Sequence, residues 1–343
     1  MTQVAENIQK FKSWLKNAGL SQQKHQIDGM EWCLKREYQK INGIKGGIIA
    51  DEMGLGKTIL MLGIIISNFK KNGTIIIVPP ALLDQWTTEI KRLFGHQPII
   101  YHGKQLKKTR IKLVDNKHIP ILITTYGIIV NRKKNDPLFN RKWSRMICDE
   151  AHHMRNKKSI LFKKINMVKA SIKWMVTGTP IQNKAKDLFA LCMVLGSHKA
   201  IKNNPKNAEQ IIIDHSLRRT KKQIGLNLPP IHYHIVNVKW SSDEETNFAA
   251  DIHSNLAFPN VTRKNINRIV AFLGGQGPLP WLTRARQACI FPQLLNKNIQ
   301  KLIDEGVLDE NANTNDIMTT SKITAVVKKL FKRKSNNRRK LVF

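Results

Sequence analysis

Two short stretches carry residues that could handle a phosphate chain and a metal ion. In "GGIIADEMGLGKTIL", residues 46 to 60, an apolar run leads into a glycine-rich turn and then into a helix-like segment. The ending Gly56-Lys57-Thr58 fits the phosphate-loop pattern of Gly, four residues, Gly-Lys-Ser/Thr, but the first position is Asp51. Backbone N–H groups around Gly54 and Gly56 would face an anion at the start of the helix. Lys57 would then reach the β- and γ-phosphates of a nucleotide, and the Thr58 hydroxyl would ligate Mg²⁺. Turns of this composition also occur with no ligand at all, so a second, acidic half of the site is required. Mg²⁺ prefers carboxylate or water oxygens, and hydrolysis needs a positioned water. "MICDEAHH", residues 146 to 153, supplies both at the end of an apolar run. Asp149 would hold the metal shell and Glu150 would orient and deprotonate the water. An Asp-Glu pair alone is more commonly a helix cap; two halves of one site, each at a strand end, favour the chemical reading. His152 and His153 are expected to point to different sides and lack a third ligand, so no metal centre is read from them.

Those residues need a scaffold that brings distant strand ends together. Short β-branched runs alternate with helical patterns: "GGIIA" (46–50), "GTIIIVPP" (73–80), "QPIIYHG" (97–103), "IPILITTY" (119–126), "RMICDE" (145–150) and "KWMVTGTP" (173–180). Apolar runs separated by helix-length segments predict an α/β, doubly wound parallel sheet covered by helices, with ligands at the carboxyl ends of the strands. Beyond about residue 200 the pattern becomes a mainly helical extension, broken by "NLPP" and "GGQGPLP", with one strand-like stretch, "IHYHIVNVKW" (231–240).

The 343-residue chain has 58 Lys and Arg against 24 Asp and Glu, a net charge of +34, which calls for a polyanionic partner such as nucleic acid. An AT-rich genome would raise Lys, Asn and Ile together, but would not by itself explain so few acidic residues. The four cysteines show no zinc-ligand or redox spacing, which suits a reducing compartment. The apolar run at 58–66 is shorter than the roughly 20 residues a bilayer span needs. A soluble intracellular protein with no membrane partner is expected: nuclear in a eukaryote, cytoplasmic or virion-associated if viral.

In order and separation, "DEMGLGKT", "DEAHHMRN" and "VTGTPIQN" resemble motifs I, II and III of the Swi/Snf-type ATPases in helicase superfamily two. That resemblance makes Asp51 a family trait. "KHQIDGMEW" (24–32) resembles the adenine-reading Q motif, with Gln26 as reader, and "VPPALLDQWTTEI" resembles motif Ia; "YHGK" and "ITTY" resemble the boxes that follow. "HSLRRTKKQIGLNLPPIHYHIVNVKWSSDEET" (215–246) and "WLTRARQACIFPQLL" (281–295) resemble segments particular to Swi/Snf-type enzymes, so the likeness covers nearly the whole chain. Its flavour is nearest the Rad-type repair and lodestar-like termination group.

The resemblance implies a RecA-like ATP-binding lobe over 1–200, a helical protrusion over 201–318 and the start of a second RecA-like lobe over 319–343. It implies ATP and Mg²⁺ as cofactors and double-stranded DNA, held by its phosphate backbone, as partner. Nucleosome or polymerase complexes, and a second lobe in cis or in trans, are further expected partners. Gln85, Thr124 and Thr125 are candidates for backbone contact or for bracing the loops that make it, and Thr177 and Thr179 for coupling nucleotide state to DNA. Trp86 is expected in the core. Lacking the second lobe's arginine finger, the chain is expected to hydrolyse ATP weakly or not at all. Two other functions fit the residues: a non-catalytic nucleic-acid-binding module, which the intact Lys57, Thr58, Asp149 and Glu150 disfavour, and an RNA helicase, which the Leu-Arg-Arg-Thr-Lys box at 217–221 disfavours.

Overall fold

A computed structural model of the chain describes residues 2–115, 118–178, 186–196, 207–226, 229–230, 232–254 and 279–334, apart from 305, 307, 309, 313, 316, 318 and 319. Two compact units are present, Met1–Pro229 and Pro230–Phe343.

The first unit is built on strands β1 (Gly46–Ile49), β2 (Thr74–Val78), β3 (Ile99–Tyr101), β4 (Ile121–Thr125), β5 (Lys142–Cys148), β6 (Lys169–Val176) and β7 (Ser216–Leu217). They form one seven-stranded sheet in the order β3-β4-β2-β5-β6-β1-β7, and every pairing is parallel. Parallel strands need crossovers, which put helices on both faces. The pleat shows in β2, where Ile75 and Ile77 join one buried cluster and Ile76 and Val78 the other. One face is covered by α1 (Gln3–Asn17), α2 (Lys24–Tyr38), α3 (Lys57–Ser67) and α4 (Leu83–Phe94) through Phe11, Met30, Met61 and Ile90. The other is covered by α5 (Leu106–Val114), α6 (Tyr126–Asn131), α7 (Pro137–Asn140), α8 (Ile160–Ile165), α9 (Lys186–Leu195) and α10 (Asn207–His215). The unit reaches past residue 200 because β7 extends the sheet at the free edge of β1.

A buried polar network fixes the end of the sheet opposite the strand carboxyl ends. Glu37, at the end of α2, meets Arg145 of β5 in two 2.6 Å contacts with both side chains fully buried. The Trp174 indole N–H and the Asn68 amide also donate to Glu37, and Arg145 donates further to Thr74 Oγ1 and the Asn68 carbonyl. A charge removed from water is tolerated when geometry this complete surrounds it.

In the second unit α11 (Asp243–Ser254), α12 (Leu279–Ile290) and α13 (Ile299–Asp304) gather around Phe248, Ile252, Ala288, Leu295 and Leu302, and α14 (Ser321–Lys332) lies against α12. Glu245, fully buried, accepts from the Ser321 backbone N–H at 2.9 Å and so caps α14. The stretch 231–240, strand-like in sequence, belongs to no ladder over its described residues 232–240. Alternating side chains favour extended backbone, but a strand needs a neighbour, and Tyr233 and Ile235 lie open to solvent. Among the described residues no helix is long and apolar enough to cross a membrane.

Candidate nucleotide site

The site stands where β1, β6 and β5, adjacent in the sheet, reach their carboxyl ends. After β1 the chain turns through Gly54 (φ 87°) and Gly56 (φ 80°), both in the left-handed region that a side chain would strain. Gly56 caps α3, so Lys57 and Thr58 open the helix with its unpaired N–H groups. A Cβ on Gly56 would lie 2.2 Å from Gln26 Nε2, which puts the predicted adenine reader directly against the loop. The Lys57 amine donates to the Asp51 carbonyl at 2.9 Å and the Glu52 carbonyl at 3.4 Å. Burial lowers its pKa below the ordinary lysine value, opposed by the negative charges of Glu150, Asp149 and Asp51. The amine therefore senses both acidic residues predicted to share its ligand.

Asp149, at the end of β5, is buried, and burial raises its pKa above the ordinary carboxylate range. Two donors oppose that shift: the Trp86 indole Nε1 at 2.7 Å and the Glu150 backbone N–H at 2.9 Å. Trp86 of α4 is core, as its sequence position suggests, and its N–H also holds the Asp149 carboxylate, the predicted metal ligand. The Tyr126 hydroxyl donates to the Asp149 carbonyl at 2.6 Å. Glu150 adopts a left-handed backbone (φ 47°), uncommon for a residue with a side chain. Its Oε2 is buried 3.1 Å from His152 Nδ1 with no aligned hydrogen bond.

His152 and His153 do not diverge as expected. In the tight 3₁₀ turn Ala151–Met154 their rings stack with centroids 4.6 Å apart. His152 Nδ1 lies 3.3 Å from Thr177 Oγ1, tying the acidic turn to the end of β6. Next to it, a Cβ on Gly178 would meet Met53 Cγ at 2.8 Å and Lys57 Nζ at 3.3 Å. Residues 177 and 178 thus bridge the two halves of the site. Thr179 lies outside the described residues.

The remaining candidates separate by exposure. Gln85 is exposed on α4, while Thr124 and Thr125 are buried. Thr124 Oγ1 donates to the Tyr101 carbonyl at 2.8 Å, a bracing role for the end of β3.

The box at 217–221 is marked in the sequence by its resemblance, but none of its side chains is expected at the site from sequence. Arg219 grips Asp51 with Nε at 3.1 Å and Nη2 at 2.5 Å. Lys221 gives its backbone N–H to Glu52 Oε2 at 2.8 Å. A conspicuous Asp51 in a phosphate loop and a run of cations far downstream were the available signals.

The donors present fit a Mg²⁺-bound triphosphate: a left-handed glycine turn at a helix N-terminus, a lysine at the first helical position, a hydroxyl beside it and a buried carboxylate facing them. Fold and site define a RecA-like phosphate-loop lobe. The family model for the SNF2-related domain matches residues 25–207, and the chain belongs to that family. Similar curated proteins include Chromodomain-helicase-DNA-binding protein 7 of Gallus gallus, 26% identical over 93% of this chain and 11% of its own length. DNA repair protein RAD5 of Candida albicans is 30% identical over 60% of this chain and 24% of its own length. Transcription termination factor 2 of Drosophila melanogaster is 30% identical over 53% of this chain and 20% of its own length. The chain therefore spans about a tenth to a quarter of these relatives. The solved structure of the Sulfolobus solfataricus SWI2/SNF2 ATPase core in complex with dsDNA is similar in fold, with a TM-score of 0.50 and 22% identity over 92% of this chain and 65% of that one. Membership in the family implies nucleotide use.

Proposed function

We propose that the chain is the ATP-binding lobe of an ATP-driven translocase on double-stranded DNA. The observation that carries this reading is the meeting of Lys57, Asp149, Glu150 and Gly178 at three neighbouring strand ends, in a member of the SNF2-related domain family.

In this reading Gln26 reads the base, the backbone at Gly54 and Gly56 cradles the phosphates, and Lys57 neutralises their outer charge. Thr58 and Asp149 hold Mg²⁺, which when bound offsets the negative charge of the phosphates. Glu150 takes the proton of a water that its left-handed backbone helps to aim. Thr177, against His152, carries the state of that turn toward the DNA-facing side. A second lobe, in cis or in trans, closes on the first. The same reading takes 1–200 as the ATP-binding lobe, 201–318 as a helical protrusion and 319–343 as the start of a second lobe; the first compact unit itself runs to Pro229.

Duplex DNA as partner rests on the +34 charge, and on relatives whose names include DNA binding and DNA repair. Binding through phosphates is indifferent to sequence, and its affinity falls linearly with salt on logarithmic axes. Nucleosome or polymerase complexes, and a nuclear location in a eukaryote, are consistent with the names of the relatives.

The test is nucleotide binding and turnover with and without duplex DNA, beside Lys57→Ala. Loss of binding in the variant, a steep salt dependence of DNA affinity and stronger response to duplex DNA than to RNA support the reading. Nucleotide binding untouched by Lys57→Ala, or a response to RNA alone, overturns it.

A further inference from the structure

The first position of the phosphate loop, where the general pattern has glycine, holds a carboxylate that is 1% exposed. A buried negative charge next to a triphosphate site would weaken nucleotide binding unless something outside the loop neutralised and held it. That partner arrives from 168 positions away. The Arg219 guanidinium takes both Asp51 oxygens, and the Arg219 backbone N–H adds a third bond to Oδ1 at 2.9 Å. Its remaining nitrogen, Nη1, donates to the His25 carbonyl. His25 in turn donates through Nε2 to the Leu55 carbonyl at 3.2 Å, at the tip of the same loop. The path runs from one end of the loop through Arg219 and α2 back to its other end.

Local structure is shaped around this contact. On α2 a Cβ at position 29 would stand 2.8 Å from Arg219 Nη2, so a side chain there would push the fork aside. The main chain is tied as well: Ala50 N–H donates to the Leu217 carbonyl at 2.7 Å and Glu52 N–H to the Arg219 carbonyl at 2.9 Å. Lys221 adds its bond to Glu52. Between those ties the chain is free to turn through Gly54 and Gly56, and Lys57 rests on the Asp51 and Glu52 carbonyls.

Resting on the nucleotide-site reading above, we propose that Arg219 is a positioning residue that clamps the phosphate loop through Asp51, holding its N–H groups in the arrangement a triphosphate requires. Arg219 acts through the loop and need not touch the nucleotide. The planar fork is essential to this role: a lysine would supply the charge without the two parallel bonds.

The experiment uses the full chain. Affinity for a fluorescent N-methylanthraniloyl-ATP with Mg²⁺ is measured together with hydrogen exchange at the amides of 52–58, and at β2 and β5 as core references. Arg219→Ala is expected to weaken binding roughly 10- to 100-fold, as for loss of charge-assisted bonds. The same variant speeds exchange at 52–58 and leaves β2 and β5 unchanged. Arg219→Lys falls between it and the unaltered chain. Asp51→Ala with Arg219→Ala recovers part of the lost affinity, because the unpaired buried charge is gone. If Arg219→Ala does not fold, Arg219→Lys and Gly29→Ala, which displaces the fork, carry the same expectations in smaller measure. Unchanged affinity and loop exchange, with Lys57→Ala still abolishing binding, overturn the clamp and leave the nucleotide site standing. Exchange rising in the core as much as in the loop also overturns it, by showing a purely structural role. If the unaltered chain binds no Mg²⁺-nucleotide, the site reading falls and the clamp with it.

Discussion

Replacing Trp86 with Phe removes one N–H from a buried carboxylate and leaves the apolar bulk of the side chain largely in place. The bond lost is the 2.7 Å contact from Nε1 to Asp149 Oδ2. A hydrogen bond to a charged group is worth about 1.5–3 kcal/mol, and an abandoned buried acceptor incurs its desolvation penalty. Taking about 2 kcal/mol, the first unit should melt roughly 4–8 °C lower. Burial already raises the Asp149 pKa, and Trp86 is the first of the influences that lower it, so the variant moves that pKa further up. The sign follows from proton linkage. Between the ordinary carboxylate value and the raised one, the folded chain keeps a proton that the unfolded chain releases, so ligand-free stability falls as pH rises through that interval. Metal binding needs the ionised form, so Mg²⁺-nucleotide affinity rises with pH through the same interval. Trp86→Phe should shift this rise to higher pH and weaken affinity by up to about 30-fold on its acid side. Trp143→Phe is the control: its N–H donates to the neutral Leu138 carbonyl at 3.3 Å, away from the site. Titration calorimetry from mildly acidic to neutral pH separates the two. A Trp86→Phe profile that coincides with that of Trp143→Phe refutes the claim that Trp86 sets the state of Asp149.

Glu37→Gln leaves the fully buried Arg145 without its counter-charge, at a cost of about 3–5 kcal/mol. A drop of roughly 6–20 °C in thermal unfolding is expected, with nucleotide affinity of the folded fraction unchanged; a drop within error would show that the pair is dispensable. Glu150→Gln keeps the side chain's shape and removes the base, so nucleotide binding persists and turnover stops in an enzyme with both lobes. Unchanged turnover removes Glu150 from its proposed role.

The placing of Lys57 at a helix start after β1 and of Asp149 and Glu150 at the end of β5 was legible from local pattern, because a glycine-rich turn and an acidic strand end are each written into a few consecutive residues. The parallel sheet was legible for a similar reason: Ile-rich runs such as 75–77 are buried on both faces. Partners set by tertiary geometry were not. Nothing near Trp86 indicates that its N–H meets a carboxylate 63 positions on, and nothing near Asp51 points to Arg219. The histidine pair was misread because side-chain direction in a tight 3₁₀ turn follows the backbone bend at Glu150 rather than simple alternation. Residues 231–240 have the alternation of a strand, but 232–240 have no pairing partner among the described residues, and no local pattern encodes a partner.

The proposed site stands or falls on whether the loop at 51–58 and the acid pair 149–150 enclose one metal-bound triphosphate. Mn²⁺ substitutes for Mg²⁺ and scatters anomalously, so crystals of the chain grown with Mn²⁺ and a non-hydrolysable ATP analogue locate the ion directly. An anomalous peak between the Thr58 hydroxyl and the Asp149 carboxylate, with Lys57 against the outer phosphates, is the predicted result. A nucleotide bound elsewhere, or a metal touching only one of the two segments, would contradict it.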